Sequence, residues 1–449
     1  MVYQRERSIF GHDGRMKTQA KPATTGDLLD DLRWRGLISQ STDEAELRES
    51  LKKPISLYIG FDPTAPSLHI GNLVVLLVLR RFQLAGHNPI ALVGGATGLV
   101  GDPSGRNEDR ILNSEETVAE WVAKYRVQLS RYLDFEATEN PARIVNNLDW
   151  TAPMSAIEFL RDIGKHFSVN QMLSKDSVSM RLEGGGISYT EFSYQVLQSL
   201  DFLELYRRHG CTLQIGGTEQ WGNIVAGLDL IRRVESGSGH ALTVPLLLKS
   251  DGTKFGKTAG GSVWLDASMT SPYAFFQYWI GTEDKDVISF LKVFSFLSHE
   301  EIEGLEKVHN ENPGARTAHR ALAREITTLV HGEDICDRVE AASRALFGQG
   351  ELTELDEETL ESALAELPRA TIHQGDVIPT WVDLLHASGV VDSKSAARRI
   401  VKESGAYLNN VKIAGEDFAP SVNDFIFGRF AVLRKGKRDL AAVEIVKKP

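Results

Sequence analysis

The chain has only two cysteines in 449 residues. Cys211 and Cys336 stand far apart, no CxxC pair occurs, and no histidines cluster at metal-ligand spacing. A disulfide framework is excluded by count, and neither a structural zinc site nor any other tightly bound metal is expected. A reducing, cytoplasmic compartment is expected instead. Long apolar runs are missing too: Leu73 to Leu79, the longest near the start, is far below a membrane span. The first 25 residues mix Arg, Lys, Glu and His with no apolar stretch, so no secretory signal is expected. They read as a disordered extension in which Met16 is an alternative start. No GxGxxG register occurs, which removes the dinucleotide fingerprint, and no GxSxG elbow occurs. The GxxxxGK[ST] phosphate loop fails by one residue, because Gly256, Lys257 and Thr258 fit but Asp251 holds the first position. Internal repeats and low-complexity tracts are absent.

What is present is ordinary in bulk. Charged residues make up 25% and apolar residues 42%, as in a globular protein, and the length calls for roughly two to four domains. The net charge of −11 argues against a nucleic-acid partner only if it is spread evenly, and it is not. From Trp381 to Pro449 there are twelve Lys and Arg against eight Asp and Glu, so the end of the chain is at +4 and the remainder at −15. A basic terminal module on an acidic body can bind RNA, although a solvated charged tail has the same composition.

The coarse organisation follows from periodicity. Ile55 to Phe61 reads as a buried strand that ends at Asp62–Pro63. A helix is expected from Ile70 to about Ala85, a second strand from Ile90 to Gly94, and a helix after Ser114. Strand-like and helix-like pieces alternate to about residue 247, which implies βαβ units and a parallel sheet. Residues 272–347 look almost wholly helical. The expected division is an extension at 1–25, a Rossmann-like α/β catalytic domain at 26–248, a loop and helical domain at 249–348, an acidic irregular linker at 349–377, and a small α+β unit at 378–449.

Two segments carry chemistry. In YIGFDPTAPSLHIGN, Tyr58 to Asn72, a strand turns through Asp62–Pro63 into a helix that starts near His69. Ligands of open α/β sheets bind at the carboxyl ends of strands, and a helix N-terminus presents N–H groups to a polyphosphate. His69 and Asn72 lie one turn apart and can face one ligand, while Gly60 and Gly71 leave room for a nucleotide against backbone. Alone, HxGN is also what a merely capped helix would show. The second segment is KFGKT, Lys254 to Thr258, flanked by glycines. Its two lysines, three apart, suit a movable clamp on pyrophosphate oxygens. Taken alone, such a segment is more often a solvated loop.

Together, and in this order, the segments resemble the HIGH and KMSKS signatures of class I aminoacyl-tRNA synthetases. The resemblance narrows to the bacterial-type tyrosyl-tRNA synthetases through LRWRGLI at Leu32, GGATGLVGDPSG at Gly94, NNLDW at Asn146, EFSYQVLQSLDF at Glu191 and LQIGGTEQWGNI at Leu213. It implies a Rossmann-like catalytic domain, then a helical domain and a small RNA-binding domain. It implies ATP as a substrate with Mg2+, L-tyrosine and tRNA(Tyr) as partners, a homodimer and no membrane. Tyr58 and Asp201 resemble the pair that reads the substrate phenol, and Asp102, Tyr194 and Gln198 the group that holds its ammonium. Their helical spacing supports this, because Tyr194, Gln198 and Asp201 share one face. Gly216, Gly217, Glu219 and Gln220 resemble the adenosine and carboxylate side, with Gly60, Asp62 and Gly71 also toward ATP. Thr64, His69, Asn72, Lys254 and Lys257 resemble the phosphate binders, and Arg106 and Arg110 mobile cations nearby. Four positions depart from the commonest pattern: Ile59, Asn72, Glu219 and the KFGKT sequence itself. SKSAARRIVKESGAYLNNVKI resembles a ribosomal-protein-like RNA-binding module, with Lys394, Arg398, Arg399 and Lys402 on a short helix. A non-catalytic RNA binder on the same scaffold would be free to lose the pocket residues, all of which are present. A tryptophan-specific enzyme would not need the Tyr58–Asp201 pair.

Overall fold

The computed structural model describes residues 27–102, 113–174, 178–179, 182, 186–253, 255–258, 261–413, 415, 420–436 and 439–448, with Lys257 and Thr258 described by their backbone alone. The expected extension at 1–25 lies outside them. The chain forms two compact units: residues 1–266 with 283–318, and 267–282 with 319–449. The chain therefore leaves the first unit and returns to it, so the expected single helical domain at 249–348 is divided between the two.

The first unit is built on a sheet of β1 (Gln40–Ser41), β2 (Ser56–Phe61), β3 (Asn88–Val93), β4 (Arg143–Asn146), β5 (Cys211–Gly217) and β6 (His240–Val244), in the order β1-β6-β5-β2-β3-β4. All neighbours pair in parallel except β1, which runs antiparallel to β6. The chain moves outward from β2 through β3 to β4, and outward on the other side from β5 to β6. The direction reverses between β2 and β5, the point at which such sheets open a crevice at their carboxyl ends. The expected strand at 55–61 is β2. The strand expected from Ile90 is β3, which begins two residues earlier and takes in Pro89.

Two helices frame the crevice. Ile70–Leu84 follows β2 and is buried nearly all along its length, through Leu73, Leu76, Leu77 and Phe82. Tyr189–His209 starts on an N-cap bond from Glu191 N to Ser188 and stops where Gly210 adopts a left-handed φ of 58°. Its apolar residues Leu200, Phe202 and Leu203 pack with Tyr58, Ile90 and Trp150 into one core cluster.

The returning segment is held to this unit by buried guanidinium groups. Arg35, at the end of helix Leu28–Trp34, pairs with Asp31 at 2.9 Å and donates to the carbonyls of Lys292 and Leu297. Arg81, 1% exposed, donates to the Ser295 carbonyl at 2.6 Å and lies over the Phe296 ring. Both cap the carboxyl end of helix Val287–Phe294, whose last carbonyls have no partner within the helix.

Near the end of the first unit's long segment β7 (Lys257–Thr258) pairs antiparallel with β8 (Gly261–Ser262). The backbone after it returns to the first turn of the Ile70–Leu84 helix: Ile70 N donates to Val263 O, and Leu265 N to Leu68 O.

In the second unit, helices Pro272–Ile280, Glu333–Leu346 and Glu357–Ala365 precede a mixed sheet of β9 (Arg369–His373), β10 (Ala406–Leu408), β11 (Val411–Lys412), β12 (Phe430–Lys435) and β13 (Asp439–Val446), ordered β11-β10-β12-β13-β9. The irregular linker expected at 349–377 is corrected here. Leu360, Ala363 and Leu364 are buried along one helical face, and Ala370 and Ile372 point inward from β9, which pairs in parallel with β13. The acidic residues that looked like linker composition lie on the outside, where Glu361 and Glu357 meet Arg429. The core of the sheet is Trp381, Leu385, Phe425, Leu433 and Val443 with their neighbours. Among the described residues no helix is long and apolar enough to cross a membrane.

Candidate active site

A cavity of about 380 Å³ opens at the carboxyl ends of β2 and β5. Tyr58, Gly60, Asp62, Thr64, His69, Gly71, Asn72, Asp102, Tyr194, Gln198, Asp201, Gly216, Gly217, Glu219 and Gln220, all singled out from the sequence, line it. Lys254, Arg106 and Arg110 lie outside the described residues, and of Lys257 the backbone alone is described, in β7.

The floor is a chain of buried hydrogen bonds. Asp201, 2% exposed, accepts from Asn147 Nδ2 at 3.0 Å and from Trp150 Nε1 at 2.9 Å. The second N–H of the Asn147 amide goes to Thr97 Oγ1 at 3.0 Å, and its carbonyl accepts from Ala96 N at 2.7 Å. Thr97 donates in turn to Asp62 Oδ1 at 2.6 Å, and Tyr194 donates to Asp62 Oδ2 at 2.5 Å. Gly94 makes this packing possible: a Cβ there would stand 2.0 Å from Asp62 Oδ1 and 2.3 Å from Thr97 Oγ1. Burial pushes the Asp201 carboxyl up to about 7, against the pull of the two N–H donors. The Tyr58 hydroxyl is buried and has no hydrogen-bond partner among the described residues. Its pKa is raised well above the usual tyrosine value, by burial first and by the Asp201 charge second. A buried hydroxyl with no partner beside a buried carboxylate is an unfilled requirement.

Toward the other wall, Asp102 accepts from Gln220 Nε2 at 2.6 Å, and Gln198 Oε1 accepts from Asn223 Nδ2 at 2.9 Å. The Tyr194 hydroxyl spends its hydrogen on the bond to Asp62, so its oxygen remains able to accept. Tyr194, Gln198 and Asp102 thus present acceptors to one corner of the cavity. Glu219 lies against Gly217, where a Cβ would stand 2.3 Å from its carboxylate.

At the mouth, the sequence pairing of His69 with Asn72 takes a specific form. His69 Nδ1 accepts from Gly71 N at 3.0 Å and from Asn72 N at 3.3 Å, while Asn72 Oδ1 accepts from His69 N at 3.1 Å. The two residues are a reciprocal cap on the helix, and Gly71 is required because a Cβ would stand 2.8 Å from the His69 ring. The cap also assigns the tautomer: with Nδ1 accepting, the neutral ring carries its proton on Nε2. Capping and cavity lining are therefore the same feature.

Sequence reasoning assigned no role to Asn147, Trp150, Thr97, Asn223 or Phe255. The string NNLDW marks the segment of Asn147 and Trp150, but nothing in it says that their donors converge on a carboxylate some fifty residues later. In the second unit, the kind of cap made by Ser188 recurs at Ser393, which accepts from Ala396 N to start helix Lys394–Lys402. Ala397 and Val401 face the core, so Lys394, Arg398, Arg399 and Lys402 are exposed, with Lys394 paired to Asp383 at 2.8 Å.

The comparisons with known proteins agree with this geometry. The family described as tRNA synthetases class I (W and Y) matches residues 49–348, and the tyrosine–tRNA ligase SYY-like C-terminal domain matches residues 359–443. A tyrosine–tRNA ligase of Streptomyces avermitilis is 59% identical over 422 residues, covering 93% of this chain and 99% of its own. One of Corynebacterium efficiens is 56% identical over 422 residues, covering 94% and 100%. Among solved structures, a C-terminally truncated Aspergillus nidulans mitochondrial tyrosyl-tRNA synthetase superposes with a TM-score of 0.65 at 30% identity, covering 73% of this chain and 96% of its own. The chain belongs to the bacterial-type tyrosine branch of the class I aminoacyl-tRNA synthetases, which activate tyrosine with ATP and join it to tRNA.

Proposed function

We propose that the cavity carries out tyrosine activation with the residues that line it. The observation that carries this reading is the unpaired, buried Tyr58 hydroxyl beside the Asp201 carboxylate. A substrate phenol would accept from Tyr58 and donate to Asp201, satisfying both. Asp102, Tyr194 and Gln198 supply acceptors for the ammonium, and Gln220, held by Asp102, stands toward the carboxylate. Gly60, Asp62, Gly71, Gly216, Gly217 and Glu219 border the space for ATP. The tyrosine carboxylate oxygen attacks the α-phosphorus, and the bond to the pyrophosphate oxygen breaks as the leaving group takes its electron pair. No side chain acts as a nucleophile. Thr64, the His69 Nε2–H and the helix N-terminus meet the phosphates from one side, and Lys254 and Lys257 from the other, with Arg106 and Arg110 as further cations. Catalysis is then positioning and charge stabilisation. Mg2+ travels with ATP as part of the substrate, because a small hard cation is held largely by phosphate oxygens and water.

Lys394, Arg398, Arg399 and Lys402 are proposed to follow the tRNA backbone. tRNA as substrate places the work in the cytoplasm. A homodimer is proposed because large apolar side chains are exposed in one stretch of the first unit, including Ile157 at 68%, Val169 at 58% and Tyr189 at 71%. Sedimentation velocity at micromolar concentration should report twice the chain mass, and a monomer there would end that proposal.

ATP–pyrophosphate exchange with single amino acids tests the pocket. Exchange should need tyrosine, because phenylalanine leaves the Tyr58 and Asp201 groups unpaired. At about 1–3 kcal/mol for each such group, and more for the carboxylate, the discrimination should be roughly three decades or greater. Comparable exchange with phenylalanine or tryptophan would refute the assignment.

The pH dependence tests the floor. Asp201 accepts the phenol hydroxyl when ionised, and its pKa is raised, so kcat/KM for tyrosine should climb through about pH 7 to a plateau. Trp150→Phe removes a donor that lowers that value. The acid limb should move to higher pH, with a larger loss at about pH 6 than at about pH 8. A uniform loss across the range would mean that Trp150 only fills space.

Division of labour is tested by a cut after Glu366, which keeps helix Glu357–Ala365 and removes the whole second sheet. Tyrosyl-adenylate formation should survive and tRNA charging should be lost. Preserved charging would sink the RNA-binding role of the removed part.

A further inference from the structure

Phe255 stands between the two lysines of KFGKT and is 9% exposed, although the residues before it, Asp251 to Thr253, are exposed. Its ring meets Phe290 edge to face at 4.7 Å between centroids and Phe294 at 5.3 Å. Phe290 and Phe294 lie one turn apart on helix Val287–Phe294. The same helix holds the start of the loop, where Ser250 N donates to the Asp286 carboxylate at 3.1 and 3.2 Å, and Ser250 Oγ lies 3.3 Å from it. The loop is therefore fastened to one helix at two points.

That helix cannot shift freely. Its far end is clasped by Arg35 and Arg81, and Arg81 belongs to helix Ile70–Leu84, whose first turn carries the His69–Asn72 cap. A methionine would fill the Arg81 position at lower cost, since Nε and Nη1 of Arg81 are buried without partners among the described residues. What the guanidinium adds is a directional hold on the carbonyls of Val293 and Ser295. One rigid helix thus sets the distance between the His69 end and the aromatic socket. Gly256 continues the argument. Its φ is +84°, and a Cβ there would stand 3.1 Å from Ile70 Cγ1, so the loop backbone runs against that same first turn.

We propose that Phe255, seated on Phe290 and Phe294, is a positioning residue for adenylate formation: it is the fixed point that sets Lys257, two residues on, against the leaving pyrophosphate. The inference rests on the reading of KFGKT as the pyrophosphate clamp. Phe255 also lines the cavity, so direct contact with ATP is the alternative to be separated.

The test is single-turnover formation of tyrosyl-adenylate by the full chain, followed by tryptophan fluorescence across ATP concentrations. The proteins are the unaltered chain, Phe255→Ala, Phe255→Leu, Lys257→Ala and the Phe255→Ala/Lys257→Ala double variant. Lys257→Ala should slow the maximal rate by on the order of tenfold to a thousandfold, as for loss of a group that stabilises developing charge. Phe255→Ala should slow it by about tenfold or more, with the ATP dissociation constant within about threefold, and Phe255→Leu should recover most of the rate. In the Lys257→Ala background, Phe255→Ala should cost less than about twofold more, because a residue that acts through Lys257 has nothing left to position. Additive losses, an unchanged maximal rate with weakened ATP binding, or a Phe255→Ala variant at full rate would each overturn the inference while leaving a slow Lys257→Ala variant, and the clamp reading, in place. A Lys257→Ala variant at full rate would overturn both.

Discussion

The side chain of Asn147 commits its carbonyl and both of its N–H groups at once: to Ala96 N, to Thr97 and to Asp201. It stands just beyond β4, yet it joins the turn after β3 to the helix that carries Tyr194, Gln198 and Asp201. Without it, a carboxylate 2% exposed would face Trp150 alone, and burial would favour its neutral form still more strongly. The relay continues through Thr97 and Asp62 to Tyr194, so these cavity-lining side chains are tied together by hydrogen bonds of definite direction. A fully satisfied buried polar network of this kind specifies one geometry, since any rotation of the amide would strand a donor or an acceptor. The Tyr58 hydroxyl stands outside this relay, beside its Asp201 end, with no partner among the described residues.

The hold on the returning segment 283–318 depends on buried charge instead. Arg35 and Arg81 are buried guanidinium groups, and desolvation lowers the pKa of both. Arg35 offsets part of this through Asp31, which His299 also approaches at 2.9 Å. Among the described residues no carboxylate bonds Arg81, which is held instead by backbone carbonyls and the Phe296 ring. Both choices place positive charge at a helix carboxyl end, where carbonyl dipoles accumulate. The outcome is that a segment far along the chain, 283–318, becomes part of the first unit and carries the socket of the KFGKT loop with it.

Much of this was legible in the residue order. β2 and the helix at Ile70 follow from an apolar run, a turn at Asp62–Pro63 and a helical apolar pattern, all local signals. The pocket residues were legible because the strings that carry them are contiguous, and a helical period of 3.6 brings Tyr194, Gln198 and Asp201 to one face. Residues 349–377 misled because composition outweighed period: six acidic side chains on the outside of TELDEETLESALAE hide the buried line of Leu360, Ala363 and Leu364. Asn147 and Trp150 carried no local signal, since a lone amide and an indole acquire a role only from what they reach.

The sequence by itself determined the parallel α/β architecture, the order of its elements and the basic terminal module through spacings of a few residues, and most of the polar side chains in the cavity through the strings that carry the family resemblance. The tertiary structure alone decided that Asp62 accepts a hydrogen bond from Tyr194, that His69 carries its ring proton on Nε2, that the Asp201 carboxyl is pushed up to about 7, and that Phe255 sits on a helix from a segment which leaves the unit and returns. These depend on distances between residues dozens to hundreds of positions apart. Hydrogen-bond direction and desolvation exist only once the chain has closed around them.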